Sequence, residues 1–262
     1  MRREEERHSA AGPEPWHLRE EKGVRFLEYV GWPGARCLVS TRIGGTSRQP
    51  FDTLNLSYNV GDERFCVDTN VERFCAAAEI DRDRIIRTRQ THSSVVNLAA
   101  PVSSGLVGDG LATRVRNLWL AVTVADCLPV FVYDADNAAV AMVHTGWRGT
   151  LKEAPVECVR RMVVWFGSKA SRLQALVGPG IGPCCFEVSS DLAGQFEKSF
   201  PGSSNGKHVD LSRANRLALE RAGVRCVPGT AICTSCDEVN FFSHRRDGGT
   251  TGRMLALIAL KP

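Results

Sequence analysis

Residues 118–150, LWLAVTVADCLPVFVYDADNAAVAMVHTGWRGT, contain two short apolar runs that each lead into a reactive side chain. Leu118–Ala125 runs into Asp126 and Cys127, and Ala138–Val143 runs into His144. Runs this short and this rich in Val and Ala read as buried strands rather than helices. A thiol and an imidazole at the ends of two core strands put two soft ligands at one edge of a sheet. Gly146-Trp147-Arg148-Gly149 then turns the chain and leaves an arginine at the bend.

The surrounding chain is long enough to build a core for such a site. It has 262 residues, 43% of them hydrophobic, which suits one large domain or two small ones sharing a core. Charged residues make up 24% and the formal net charge is +4, with arginines spread rather than blocked, so nothing marks a nucleic-acid surface. No run is long enough to cross a bilayer. Residues 1–22 are charged throughout and carry no apolar leader, which points to the cytoplasm and to reduced thiols for the 10 cysteines. Cys37, Cys66, Cys75, Cys158 and Cys226 sit among apolar neighbours and read as packing residues.

Residues 1–22 read as a disordered or loosely helical tail, and 23–262 as one catalytic domain. Arg25–Val30 and Arg36–Thr41 read as strands. Behind the second, Gly44 and Gly45 allow close backbone approach, and Arg42 either holds an anion there or decorates a plain turn. Asn55 follows as a possible backbone clamp. Asp68–Glu79 reads as a helix with Asp68 as its N-cap. Ile85–Thr88 is a short strand, and His92 lies in the polar break Arg89–Val96 beside Gln90. Asp109, between Gly108 and Gly110, either orients a histidine, binds a ribose hydroxyl or makes a tight turn. Leu151–Phe166 reads as a helix with Pro155 near its start and Gly167 closing it. Leu173–Val177 is a strand that enters the rigid loop Gly178–Val188. Ser189–Ser199 and Leu211–Ala222 are helices, the latter capped by Asp210. A polar-aromatic loop, Phe241–Gly249, precedes the last strand, Arg253–Leu260.

Two imidazoles and a thiolate, His92, Cys127 and His144, make a borderline-soft set that suits zinc with one position left open. Copper is the rival metal, if Met142 or Met162 supplied a weak axial ligand. Without a metal, Cys127 becomes a nucleophile with a histidine as its base, which gives a hydrolase or deamidase. Cys184-Cys185 with Cys233 and Cys236 allow a four-thiolate site, but the adjacent pair has the wrong spacing for a regular half-site, and free thiols are the simpler reading.

Thr41–Gly45, Gln90–His92, Ala125–Pro129, Val143–Gly149, Gly178–Pro183 and Phe241–Gly249 with Thr251–Arg253 occur in an order that resembles the YfiH-like family, also labelled multicopper polyphenol oxidases or laccase-domain proteins. The resemblance runs from about Val24 to the C-terminus. It implies an α+β fold of two packed mixed β-sheets flanked by helices, as in the catalytic domain of cytotoxic necrotizing factor. It implies a zinc-dependent purine nucleoside phosphorylase acting on adenosine, inosine, guanosine or methylthioadenosine, with adenosine deaminase activity besides. It places the zinc ligands at His92, Cys127 and His144. With Arg148 expected to clamp phosphate four residues after a ligand, Cys127, His144 and Arg148 are the expected catalytic set. Arg42, Asn55, Gln90, Asp109, Asp126, Arg148 and Arg245 are the residues expected to face nucleoside or phosphate. His244 departs from the family pattern, where tyrosine is common.

Overall fold

The stretch at 118–150 folds as three strands, not two. Leu128–Asp134 is a fully buried strand between the two expected ones and pairs antiparallel with the strand that carries His144. Pro129 sits second in it, opposite His144. A proline inside an apolar run argues against a central strand, which is why this one was not legible.

The structure is a computed structural model and describes residues 16–262. In chain order the elements are β1 (Trp16–Glu21), β2 (Val24–Tyr29), β3 (Ala35–Ser40), α1 (Arg64–Ala78), β4 (Ile85–Arg87), β5 (Val96–Leu98), β6 (Gly110–Thr113), β7 (Trp119–Val124), β8 (Leu128–Asp134) and β9 (Ala139–Thr145). They continue with α2 (Trp147–Leu151), α3 (Ala154–Phe166), β10 (Gln174–Val177), α4 (Ser190–Ser199), β11 (Ser204–Asn205), β12 (His208–Val209), α5 (Leu211–Arg221), β13 (Arg225–Cys226) and β14 (Met254–Leu260).

One six-stranded sheet has the order β1-β2-β3-β14-β7-β4 and the other β13-β10-β8-β9-β6-β5. Both are mixed: β4 runs parallel to β7, β5 to β6 and β13 to β10, while the other neighbours are antiparallel. The expected α+β architecture of two mixed sheets with helices outside is the one found. Alternation along the strands builds the layers. Leu120, Val122 and Val124 of β7 meet Val140 and Met142 of β9 in the core between the sheets. Trp119 and Ala121 point the other way, onto α1. Ala139, Ala141 and Val143 pack under α3 and α5. Each large side chain buried in this way contributes about 1.5–3 kcal/mol.

His144 continues the alternation of Val140 and Met142, so its ring emerges at the end of the inter-sheet core. Cys127 follows the neighbouring strand β7 by three residues. The sandwich therefore places the two side chains together where its core opens.

Three local expectations need correction. Trp16–Glu21 is a strand, not disordered or helical tail; residues 1–15 lie outside the described residues. It forms a hairpin with β2 across Lys22 and Gly23, which both have positive φ (52° and 74°), the backbone a two-residue hairpin turn requires. Arg19, Glu20 and Glu21 are exposed along this edge strand. Glu20 pairs with Arg25 at 2.6 Å and Arg19 with Glu28 at 3.3 Å. Charge on an edge strand also discourages sheet-to-sheet association. Asp68 is not an N-cap, because α1 starts at Arg64 and Asp68 lies inside it. Its carboxylate accepts from Tyr58 and Arg82 instead. The helix expected at 151–166 is broken at Lys152-Glu153, where Glu153 has φ 50°, and α2 is a separate short helix ahead of it.

Candidate active site

Asp109 organises the site. It is fully buried, on the turn that enters β6. Its carboxylate accepts hydrogen bonds from the backbone N–H groups of Thr91 (3.1 Å), His92 (3.1 Å) and Ser93 (2.6 Å) and from the Ser93 hydroxyl (2.7 Å). It also meets Nδ1 of His144 at 2.9 Å. Of the three roles open to it in sequence, orienting a histidine is the one found. One carboxylate thus fixes the loop that bears His92 and the ring of His144. Burial alone would raise its pKa, but the bonds from His144 and Ser93 outweigh that and hold it well below the usual carboxylate range.

His92, Cys127 and His144 come together. One ligand atom from each lies within 4.8 Å of the others, and the two imidazole centroids are 5.0 Å apart in an edge-on arrangement. With Nδ1 of His144 engaged by Asp109, its Nε2 is the nitrogen left for a ligand. Burial lowers the proton affinity of His144, yet the adjacent Cys127 sulfur and Asp109 outweigh it and raise its pKa to about 9. Burial and the neighbouring His144 lower that of His92. Gly146 clears the space: a Cβ there would lie 2.7 Å from Cys127 Sγ and 3.4 Å from His92 Nδ1.

Asp126 lines the cavity wall, but its carboxylate is engaged by neighbouring loops. Its backbone has φ 80°, a sharp turn between β7 and β8. Its carboxylate accepts from the hydroxyls of Thr234 (2.7 Å) and Ser243 (3.0 Å) and from the N–H of Arg245 (2.6 Å). Its carbonyl accepts from the N–H of Ile181. One turn residue thereby pins the 181, 234 and 243–245 segments around Cys127.

A cavity of about 940 Å³ opens over the three ligands. Its walls include Arg87, Arg89, Arg148, His244, Arg245 and Arg253. Arg148, at the start of α2, stacks on Trp147 with its guanidinium carbon 4.1 Å from the ring centroid. Among the described residues its N–H groups have no hydrogen-bond partner, so its fork is available to an anion.

Three residues expected to face the substrate do other work. Arg42 is held by Asp52, through Oδ2 and the carbonyl at 2.9 Å each, and by the Glu238 carbonyl, and it stacks on Phe242. It is outside the cavity wall, because the Gly44–Gly45 turn packs against Gly23 and Leu54 instead of a ligand. Asn55 is fully buried and its amide bonds Ser57, Asp62 and the N–H of Arg253, so it too is a scaffold residue. Gln90 reaches the cavity wall, but its amide is engaged with Thr123 on both its oxygen and its nitrogen. Arg245 lines the cavity with one nitrogen tied to the carbonyls of Cys185 and Glu187.

Two cavity residues carried no role in the sequence reading. Arg87 ends the short apolar strand β4 and donates to the Leu56 carbonyl at 2.9 Å. A charge at a core-facing strand position was the available signal. Arg253 is held by the carbonyls of Thr251 and Gly252, and burial lowers its pKa against the pull of Cys127 and Asp126.

The fold and site define a two-sheet α+β protein with a His₂Cys cluster that could hold a metal ion, at the base of an arginine-lined cleft. The chain belongs to the family described as multi-copper polyphenol oxidoreductase laccase, whose model matches residues 36–261. It is 34% identical to the purine nucleoside phosphorylase YlmD of Geobacillus stearothermophilus, over 86% of this chain and 90% of that protein. It is 37% identical to a purine nucleoside phosphorylase of Deinococcus radiodurans, over 84% and 87%. The crystal structure of the hypothetical protein YfiH of Bacillus licheniformis superposes with a TM-score of 0.86 at 30% identity, covering 95% of this chain and 100% of that one.

Proposed function

We propose that the chain is a purine nucleoside phosphorylase that takes adenosine, inosine, guanosine or methylthioadenosine with phosphate, and that it deaminates adenosine as a side activity. The relatives named for that activity support the reaction class. The observation that carries the reading is the shared cavity. An arginine without a partner among the described residues and a His₂Cys cluster open into one space, and its volume suits a nucleoside with phosphate.

The donor set fits zinc. Two imidazoles and one thiolate converge, Asp109 fixes the tautomer of one imidazole, and a glycine keeps the ligand side of the cavity clear. His92, Cys127 and His144 would hold the ion, which when bound supplies a Lewis acid facing the cavity. The copper reading loses its axial ligand: Met142 is buried in the inter-sheet core and Met162 in the core beneath α3.

In phosphorolysis a phosphate oxygen bonds to the anomeric carbon as the bond to the purine nitrogen breaks, and positive charge develops on the sugar. Arg148 holds the phosphate with its free fork, and Arg253 adds charge on the same wall. Gln90 and Asp126 act at one remove, by fixing Thr123 and the loop of Arg245. His244, on the cavity wall, provides a flat surface for the base.

A second reading has its own observation. Cys127, His144 and Asp109 also stand in the order of nucleophile, base and orienting acid, the arrangement of a Cys–His hydrolase or deamidase. The deciding experiment incubates purified protein, with and without its metal, with a nucleoside panel in the presence and absence of phosphate. Phosphate-dependent release of free base that stops on chelation supports the phosphorylase. Turnover that survives chelation and stops on alkylation of Cys127 supports the hydrolase.

A further inference from the structure

Four cysteines gather well away in sequence from the His₂Cys cluster. Cys184 and Cys185 lie in the Gly178–Val188 loop, and Cys233 and Cys236 lie in the irregular segment between β13 and β14. All four sulfurs are within 4.8 Å of one another. Cys236 Sγ is 3.3 Å from Cys185 Sγ and 3.5 Å from Cys184 Sγ. Bonded sulfurs sit about 2.05 Å apart, so these are not disulfides. A tetrahedral ion with metal–sulfur bonds of about 2.3 Å holds its sulfurs about 3.8 Å apart, which is the spacing approached here.

The backbone around them is shaped to the same end. A parallel bridge joins Gly180 to Cys233, and Thr234 donates to the Gly180 carbonyl at 3.0 Å. The Gly182 N–H donates to Cys233 Sγ at 3.2 Å, the kind of bond that steadies a thiolate ligand. A Cβ at Gly182 would lie 3.2 Å from Cys233 Cβ and 3.3 Å from Cys184 Sγ, so a side chain there would crowd the sulfurs. Cys236 and Asp237 donate to the Cys233 carbonyl in a tight turn that returns the second sulfur to the first. Two cations stand against the same loops: Arg245 donates to the Cys185 carbonyl and Arg246 to those of Thr234 and Ser235.

We propose that Cys184, Cys185, Cys233 and Cys236 form a second, structural metal site that takes one divalent zinc ion as a tetrathiolate. Soft thiolates select zinc or iron, and sulfurs this close enclose a single ion rather than a sulfide-bridged cluster. Zinc replaces the four thiol protons, which pass to solvent, and leaves two negative charges in excess beside loops to which Arg245 and Arg246 are tied. All four ligands are protein atoms, so the site is closed and not catalytic. Its effect is mechanical. The ion staples two segments that have no helix or strand of their own, and both reach the active cavity through Phe186, Glu187, His244 and Arg245. Irregular segments as long as 227–253 need such a tie to hold one conformation.

The test is metal stoichiometry on the full chain, purified under reducing conditions from zinc-supplemented cells, by native mass spectrometry. Wild type should carry two zinc ions. Cys236→Ser should lose one and keep the other, and Cys127→Ala should keep the tetrathiolate ion. Cobalt loaded into the Cys127→Ala chain should give a strong sulfur-to-metal charge-transfer band, and Cys184 and Cys236 should resist maleimide until chelator is added. The proposal fails if Cys127→Ala leaves the chain without zinc, or if the native, zinc-exposed chain carries a disulfide from Cys236 to Cys184 or Cys185. Because Cys127→Ala separates the two sites, loss of the nucleoside reading leaves this result standing, and the reverse also holds.

Discussion

Oδ1 of Asp109 lies 2.9 Å from Nδ1 of His144 while the same carboxylate collects the N–H groups of Thr91, His92 and Ser93. Two ligands that are far apart in sequence therefore share one support. In Asp109→Asn the amide NH₂ would face donors that it cannot satisfy, and an unsatisfied buried donor costs about 1–3 kcal/mol. Zinc affinity should fall by about 10- to 100-fold, the usual loss for a ligand's supporting group. Competition against a calibrated chelator measures this directly. Wild-type affinity in the variant would show that Asp109 is only a turn residue.

Gly146→Ala tests the ligand cluster without touching a ligand. Gly146 has φ −86° and ψ −175°, which any residue adopts, so the change introduces no backbone strain. Its new Cβ would lie 2.7 Å from Cys127 Sγ and must push that side chain aside. Metal content at this site should drop below half, with the melting temperature within a few degrees of wild type. Full occupancy in the alanine variant would mean that Cys127 does not point at the metal.

The sequence made the clustering of His92, Cys127 and His144 legible because each stands at a strand end or polar break. Asp109 was legible too, as a lone acid between glycines. The arginines were read less well. Arg42 looked like an anion clamp because it precedes a Gly-Gly loop, yet its partners Asp52 and Glu238 come from elsewhere in the chain. Arg87 and Arg253 looked like ordinary strand residues, and only sheet topology turns them toward the cavity. Strand β8 was hidden by Pro129, and β1 by charges whose cross-strand partners lie beyond a two-residue turn. The Arg42 contact with Glu238 spans most of the chain, where local pattern carries no information, whereas β1 and β8 were hidden by local charge and a proline that strand pairing overrides.

Asp247 should contribute an acid-sensitive part of the stability. Burial alone would raise its pKa, but its bonds to Arg246 and Thr251 outweigh that and lower it. A carboxyl depressed on folding stabilises fully above its unfolded value of about 3.9 and loses that contribution as pH falls toward the folded value. Melting temperatures taken from pH 6 down to pH 3 should fall more steeply in wild type than in Asp247→Asn, which lacks the titrating group. Parallel curves for the two proteins would remove Asp247 from the acid response.

Arg148 and Arg42 should separate binding from scaffolding. The Arg148 guanidinium stacks on Trp147 and lines the cavity, and among the described residues its N–H groups have no partner. Hydrogen bonds to a charged group contribute about 1.5–3 kcal/mol, so Arg148→Ala should raise the KM for phosphate by about 10- to 100-fold. The melting temperature should hardly move, because only the stacking on the adjacent Trp147 is lost. Arg42→Ala removes an ion pair with Asp52, a bond to the Glu238 carbonyl and the stacking on Phe242. It should lower the melting temperature by several degrees, at about 2–4 °C per kcal/mol for a chain of this size, and leave the phosphate KM near wild type. Initial-rate kinetics with varied phosphate, alongside thermal unfolding of the same preparations, reads both effects. If Arg42→Ala raised the phosphate KM and Arg148→Ala did not, the anion would have to enter from the opposite side of Phe242, and the cavity would not be where phosphate binds.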